Sequence, residues 1–382
     1  MYRIISIIGA RPQFIKVAAL CRVINKYFST KLEHNIVHTG QHYDNNMSDV
    51  FFDELGIDMP TYQLGIHTNH SGFPLNEAVS AIESILQEEH PDMVLVYGDT
   101  YSTLAGAMAA ENCKLPLAHI EAGMRSYDLT MPEEVNRVET DKRAGFLFCP
   151  TQTAVMNLLK EGYDLEAQKP YHPNNKKIMF SGDIMYDNAL FFADKNINLS
   201  KQLQQLLLSI PSFVLTTVHR QHNTDNVERL QGFIQGLLLI AELKQHILFP
   251  VHPRTKKMLP ISLKPETYHH FITNDYIHCM EPLSFLEMMH MEKHASMIIT
   301  DSGGVQKEAY FYKKPCIILR SETEWTELLA HKCCILSDTQ SQRILQAYLY
   351  FTKHHPIDFP PVFGNGQAAR FICEKIIEVL DE

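Results

Sequence analysis

The residues SMIITDSGGVQKEAYFYKKPCIILRSETEW, 296–325, decide the fold. A short apolar run ends in Asp301-Ser302-Gly303-Gly304, a helical stretch follows, and a second apolar run, PCIILRS (315–321), closes the unit. Strand, helix and strand in that order form a crossover between parallel strands. The junction also suits an anion. Two glycines allow close approach to the backbone, and the first turn of the helix presents unpaired N–H groups and a partial positive charge. Ser302 adds a hydroxyl, and Glu308, about one turn further in, can accept hydrogen bonds from sugar hydroxyls. Together they fit a phosphate or diphosphate carried by a sugar. The plainer reading is a helix capped by Ser302 with Glu308 solvated.

The same alternation runs outward from this stretch. RIISIIG (3–9), HNIVHTG (34–40), DMVLVYGDT (92–100) and LPLAHIEAG (115–123) read as buried strands. Between them, residues 12–27, 75–90 and 101–113 have helical spacing, and FLFCPT and KIMFSG fit further short strands. The pattern weakens over 184–210 and then restarts with FVLTTVH (213–219), a helix over 226–244, and HILFPVHP (246–253). Apolar strands alternating with helices imply parallel sheets covered on both faces. The expected architecture is α/β, with two Rossmann-like domains, 1–184 and 185–382, facing a cleft. The final amphipathic helix, GQAARFICEKIIEVL (366–380), is free to pack back on the first domain.

Composition narrows the function. A chain of 382 residues with 45% hydrophobic and 20% charged residues supports two globular cores. A net charge of −10 argues against a nucleic-acid partner. The eight cysteines form no CxxC and several sit in apolar runs, so they read as buried reduced thiols. Met1 leads directly into a strand, and no apolar run approaches the ~20 residues needed to span a bilayer. A cytoplasmic protein without membrane contact is expected.

In open parallel sheets, ligands bind beyond the carboxyl ends of the strands. Here those ends carry Gly9-Ala10-Arg11-Pro12, His38-Thr39-Gly40-Gln41-His42, Gly98-Asp99-Thr100, Glu121-Ala122-Gly123, His219-Arg220, His252-Pro253-Arg254 and Asp301-Ser302-Gly303-Gly304. Any one is ordinary turn chemistry; seven on one edge are hard to assign to turns alone. Acidic groups gather in the first half: Asp99, Glu121, and Glu133-Glu134 of MPEEVNRVETD, with Arg125 and Arg137 nearby. Carboxylates on neighbouring strand ends can serve as acid and base. PEEVNR taken alone reads as a proline-started helix with an acidic first turn. There is no GxxxxGK and no GxGxxG, so neither a P-loop nor the dinucleotide fingerprint is present. His38 with His42, and His67 with His70, lack clear further ligands, so no metal site is expected.

The ordered series GARPQFIK, GQHYDNNM, VLVYGDTYSTLAGA, HIEAGMRS, MPEEVNRVETD, TVHR, VHPRT, DSGGVQKEA and GNGQAARFI resembles the non-hydrolysing UDP-N-acetylglucosamine 2-epimerases over nearly the whole chain. The resemblance implies the GT-B architecture with the active site between the domains. It also implies inversion at carbon 2 by elimination and re-addition of UDP through 2-acetamidoglucal, without metal or redox cofactor. By resemblance Asp99, Glu121 and Glu133 are the acid/base candidates and His219 assists at the diphosphate. Arg11, Lys16 and Arg137 hold phosphate and neighbouring groups. Ser302, Gly303 and Gly304 bind the diphosphate, Glu308 the uridine ribose, and His252 completes the substrate-binding set. The family also suggests a homodimer.

Several positions depart from the family pattern. Gln13 stands where Glu is frequent, His222 where an acidic residue is usual, and Lys307 replaces the first Glu of DSGGxQEE. RSETEWTE resembles a branch acting on other UDP-2-acetamido sugars, including diacetamido-glucuronates. Some bacterial members bind a second UDP-sugar as effector through glutamines; here Gln41 is present, and Asp44 stands where a second glutamine is expected. Two further readings are a GT-B glycosyltransferase, which would need an acceptor pocket, and a nucleotide-sugar-binding regulator, which would have no use for the acids.

Overall fold

In the computed structural model, residues 1–41, 52, 54–57, 59–68, 72–193, 195, 197–354 and 356–381 are described. The chain divides into two compact units, 1–188 with 361–382, and 189–360.

The first unit is built on β1 (Tyr2–Ile8), β2 (Leu32–His38), β3 (Tyr62–Gln63), β4 (Met93–Tyr97), β5 (Leu117–Ile120), β6 (Phe146–Cys149) and β7 (Lys177–Phe180). They form a parallel sheet in the order β3-β2-β1-β4-β5-β6-β7. Ile4, Ile5, Ile7 and Ile8 of β1 are all fully buried, as a strand covered on both faces requires. The polar interruption, Ser6, is satisfied by Tyr97 Oη and His34 Nε2, each at 2.7 Å. The chain moves outward in opposite directions from β1 and β4, so the gap between their carboxyl ends is the switch point of the sheet, where ligands of such folds sit. Arg11 follows β1, and Asp99 follows β4.

The second unit repeats the plan. Strands β8 (Phe213–Thr217), β9 (His246–Pro250), β10 (Ile277–Met280), β11 (Met297–Thr300), β12 (Cys316–Ile318) and β13 (Cys334–Leu336) lie in the parallel order β10-β9-β8-β11-β12-β13. Phe233, Ile234 and Leu237 of the helix Val227–Ala241 pack with Phe249, Phe271 and Ile299 in its core. Each such side chain contributes about 1.5–3 kcal/mol by leaving water. The switch point lies between β8 and β11, beside His219 and Ser302.

The expected elements are present with shorter strands, because turn residues had been counted in. The helix expected over 12–27 is Arg11–Val23, followed by a π-helical turn Ile24–Phe28. The weak stretch 184–210 holds two helices, Ile184–Ala193 and Lys201–Ser209. The second of these buries only Leu203, which is why its periodicity is faint. β10 and β13 were not anticipated, being short and lying at the two edges of the sheet.

The boundary falls at Asn188/Ala189 rather than at 184/185, inside a continuous helix, and residues 361–382 return to the first unit. The last helix, Ala368–Leu380, is tied there by Asp187, whose carboxylate accepts the N–H groups of Ala368 at 3.0 Å and Ala369 at 2.8 Å. Asp183 N–H reinforces this by donating to Phe363 O at 3.0 Å.

Candidate active site

At the switch point of the first sheet, a buried glutamine joins two strand ends. Gln13 is 1% exposed. Its amide oxygen accepts Gly9 N–H at 2.7 Å and Ala10 N–H at 3.0 Å. Its amide nitrogen donates to Tyr97 O at 3.0 Å and Thr103 Oγ1 at 2.9 Å. An ionised glutamate could accept the first pair but not donate the second, so the amide suits this position.

Two carboxylates beside this frame are each held by a cation. Lys16 Nζ lies 2.8 Å from Glu121 Oε1, with both side chains nearly buried. Arg137 bonds to Asp99 Oδ2 and, at 2.5 Å, to Glu134 Oε2. Asn136 Nδ2 donates to the Asp99 carbonyl at 3.0 Å. The two pairs adjoin: a Cβ at Gly98 would lie 2.9 Å from Lys16 Nζ and 3.4 Å from Glu121 Oε1. Gly98 has φ +65°, a left-handed backbone conformation that favours glycine. Glu121 itself has φ +71°, a left-handed conformation that a residue with a side chain adopts at a cost of order 1–3 kcal/mol. The N–H groups of Glu121 and Ala122 both donate to Phe148 O, at 3.1 and 3.0 Å, which fixes the turn.

The neighbouring glutamates separate. Glu134 is buried and accepts Ser126 N–H at 2.9 Å and Tyr127 N–H at 3.0 Å as well as Arg137. It is framework. Glu133 is exposed on the first turn of the helix Pro132–Arg143, and no bond among the described residues uses its side chain. Arg11 is exposed at the start of its helix.

At the switch point of the second sheet, Asp301 is the organiser. It is wholly buried and accepts His219 N–H at 3.1 Å, Arg220 N–H at 3.0 Å and Asn223 Nδ2 at 3.0 Å. His219 Nδ1 lies 3.4 Å from its Oδ1. The His252 ring lies 5.7 Å from the His219 ring. Burial, then repulsion from His219 and Arg254, lowers the pKa of His252.

The opening turn is a capped helix start. Ser302 caps the helix Gly303–Phe311, its hydroxyl oxygen accepting Val305 N–H at 3.4 Å. That hydroxyl keeps its own proton to donate, and the N–H groups of the first turn have no partner within the helix. A Cβ at Gly303 would lie 2.5 Å from Glu324 Oε1, so a larger residue there would have to displace that carboxylate. Burial would raise the pKa of Glu324, but Arg320, at 2.8 Å, and Arg220 outweigh it and lower it. Lys307 is buried with its Nζ 4.3 Å from the Trp325 ring centre. Glu308 sits one turn in and is half-buried.

Of the other residues singled out, Gln41 is buried, and its amide oxygen accepts Ser102 N–H at 2.9 Å and Ser102 Oγ–H at 2.7 Å. His38 is buried against Phe14, and burial, followed by His67, lowers its pKa to about 4. His42, Asp44 and His70 lie outside the described residues. Sequence reasoning missed the roles of Gln13, Glu134 and Asp301. The available signal was a polar side chain within two residues of a strand end or helix start.

The profile of the family described as UDP-N-acetylglucosamine 2-epimerase matches residues 27–377. The chain belongs to that family. This epimerase is 43% identical over 99% of both chains to a UDP-N-acetylglucosamine 2-epimerase homolog of Methanococcus maripaludis. It is 39% identical to the UDP-2,3-diacetamido-2,3-dideoxy-D-glucuronate 2-epimerase of Pseudomonas aeruginosa, covering 99% of this chain and 100% of that one. Among solved structures, the UDP-GlcNAc 2-epimerase of Methanocaldococcus jannaschii, in complex with UDP-GlcNAc and UDP, superposes with a TM-score of 0.83. The two are 36% identical over 98% of this chain and 99% of that one. The two parallel α/β sheets are therefore those of a GT-B-like nucleotide-sugar isomerase.

Proposed function

We propose that this epimerase interconverts UDP-GlcNAc and UDP-ManNAc. A carboxylate removes the proton from carbon 2, the bond from carbon 1 to the diphosphate oxygen breaks, and UDP leaves with its electron pair. A double bond between carbons 1 and 2 remains, giving 2-acetamidoglucal. UDP then adds back at carbon 1 while carbon 2 takes a proton on its other face. The two faces call for separate acid/base groups. Asp99, Glu121 and Glu133 are assigned to that work, with His219 assisting the departing diphosphate. Arg11, Lys16, Arg137 and His252 hold the substrate. Ser302, Gly303 and Gly304 bind the diphosphate and Glu308 the ribose. The three acids thus come from the first unit, and the diphosphate- and ribose-binding turn from the second. Elimination and re-addition leave the oxidation state unchanged, so no redox cofactor is needed, and we assign no metal.

The observation that carries the reading is the pair of cation-held carboxylates, Asp99 with Arg137 and Glu121 with Lys16, at one switch point. The test is incubation with UDP-GlcNAc in deuterated water. Deuterium at carbon 2, with UDP-ManNAc formed in the presence of EDTA, is the expected result; no exchange would end the reading for this sugar. The 39% identity to the Pseudomonas aeruginosa enzyme favours a second reading, a UDP-2,3-diacetamido-glucuronate substrate. Exchange with that sugar alone would select it. We also place the enzyme in the cytoplasm, which fits eight cysteines without a disulfide among them. No described helix is long and apolar enough to cross a membrane. The family resemblance supports a homodimer, and light scattering of the purified protein tests it.

A further inference from the structure

We propose that His119 is a buried imidazolium whose charge positions both Asp99 and Glu121. The inference rests on the acid/base assignment above. His119 lies on β5, fully buried, and touches neither carboxylate's reacting end. Its Nδ1 is 2.7 Å from Asp141 Oδ1 and its Nε2 is 2.7 Å from the carbonyl oxygen of Gly98. A carbonyl oxygen can only accept. Asp141 also accepts, from Arg125 Nη1 at 2.7 Å and from Gly123 N–H at 3.1 Å. These two donors, one of them a guanidinium, hold Asp141 as the carboxylate. Neither neighbour has a proton to offer, so both ring nitrogens must donate. A neutral imidazole would set a lone pair against an acceptor at 2.7 Å on one side or the other.

The charge closes within its own cluster. Arg125 is also paired with Glu161, at 2.5 and 2.8 Å, so two cations face two carboxylates. Lys176 adds positive charge near Asp141, and Cys149 faces it as a thiol whose pKa burial pushes well up.

The hydrogen bonds show what the pair holds. The Gly98 carbonyl belongs to the peptide that leads into Asp99, and Gly98 N–H donates to Ile120 O at 2.9 Å. The Gly123 N–H on Asp141 closes the turn that keeps Glu121 at φ +71°. One ion pair therefore grips both turns from which the two acid/base carboxylates project. His119 is a positioning residue.

Two measurements decide this. In protein carrying 15N-histidine, the His119 ring signals, assigned by their loss in His119→Gln, should show two protonated nitrogens at pH 7.5. A neutral tautomer there would overturn the proposal. That measurement needs no turnover, so it stands apart from the epimerase reading. In kinetics, His119→Gln should lower kcat at least tenfold with KM for UDP-GlcNAc changed less than threefold. Adding Asp141→Asn, which lets a neutral amide pair replace the ion pair, should recover part of that loss. An unchanged kcat in a folded His119→Gln protein would overturn the positioning role.

Discussion

Asp99 and Asp301 stand at matching addresses in the two units. Each follows the strand beside the switch point, β4 in the first sheet and β11 in the second. Their environments differ. The Asp99 side chain is 29% exposed, and Arg137 is the side chain that grips it. Asp301 is 0% exposed and takes the N–H groups of His219 and Arg220 and the Asn223 amide. A carboxylate surrounded by backbone donors is framework, because moving a proton on or off it would break several bonds at once. A part-exposed carboxylate held by one side chain can exchange that partner for substrate. The same position in the same topology thus supplies a reagent in one unit and a scaffold in the other.

The largest effect expected from this contrast is on turnover. Asp99→Asn, Glu121→Gln and Glu133→Gln should each reduce kcat by roughly 100-fold or more, the scale of losing a general acid or base, in protein that still folds. Asp301→Ala should instead strand buried donors and lose stability, about 1–3 kcal/mol for each. Steady-state kinetics and urea melts on the same samples read both. A stable, inactive Asp301→Ala protein beside an unfolded Asp99→Asn protein would reverse the assignment. Glu133 is the sharpest of the three, since it is exposed and unbonded among the described residues. Near-wild-type rates in Glu133→Gln would leave two acids for two faces.

A smaller effect concerns how the first unit closes. Asp187 caps the last helix, and burial raises its pKa to about 6 despite the Ala369 and Ala368 N–H groups. Asp183 raises it further and Arg22 lowers it. A raised pKa means that the folded state holds the proton more tightly than the unfolded chain. Stability from this group is therefore full below about pH 4 and is lost as pH rises towards 6. The shift corresponds to at most ~3 kcal/mol. Subtracting the urea stability of Asp187→Asn from that of the wild type, between pH 4 and 8, should give a difference that falls across that window. A difference that rises instead would show that attraction to the helix N-terminus outweighs burial.

Much of this was legible from patterns, and what was missed has a common cause. β1 and β4 announce themselves because a strand buried on both faces is a continuous apolar run. β13, at an edge and three residues long, offers no such run. The strand-end clusters marked both candidate sites, because polar residues at the ends of buried strands are unusual in themselves. Partners were invisible. Nothing in MPEEVNRVETD says that Glu134 turns inward to Ser126 and Tyr127 while Glu133 faces solvent. Nor does spacing link His119 to Asp141, 22 residues on. Such pairings arise from tertiary packing and leave no periodic trace.

The smallest effect separates two ends of one ligand in the second unit. Ser302 caps its helix as an acceptor, at 3.4 Å from Val305 N, so its hydroxyl proton is left to donate. In the proposed site its proton goes to the diphosphate. Glu308, one turn further in, faces the ribose. Ser302→Ala should then weaken UDP about tenfold and leave uridine nearly unaffected, the loss of one hydrogen bond to a charged group. Loss of the cap itself costs about 1 kcal/mol of stability and would appear in a melt without discriminating between the ligands. Glu308→Gln should weaken UDP and uridine alike, since both carry the ribose. Calorimetry with the two ligands on the two variants gives four affinities. Equal losses for both ligands in Ser302→Ala, or none in Glu308→Gln, would reduce the junction to an ordinary helix start. The anion site of this epimerase would then have to be sought elsewhere on the second sheet.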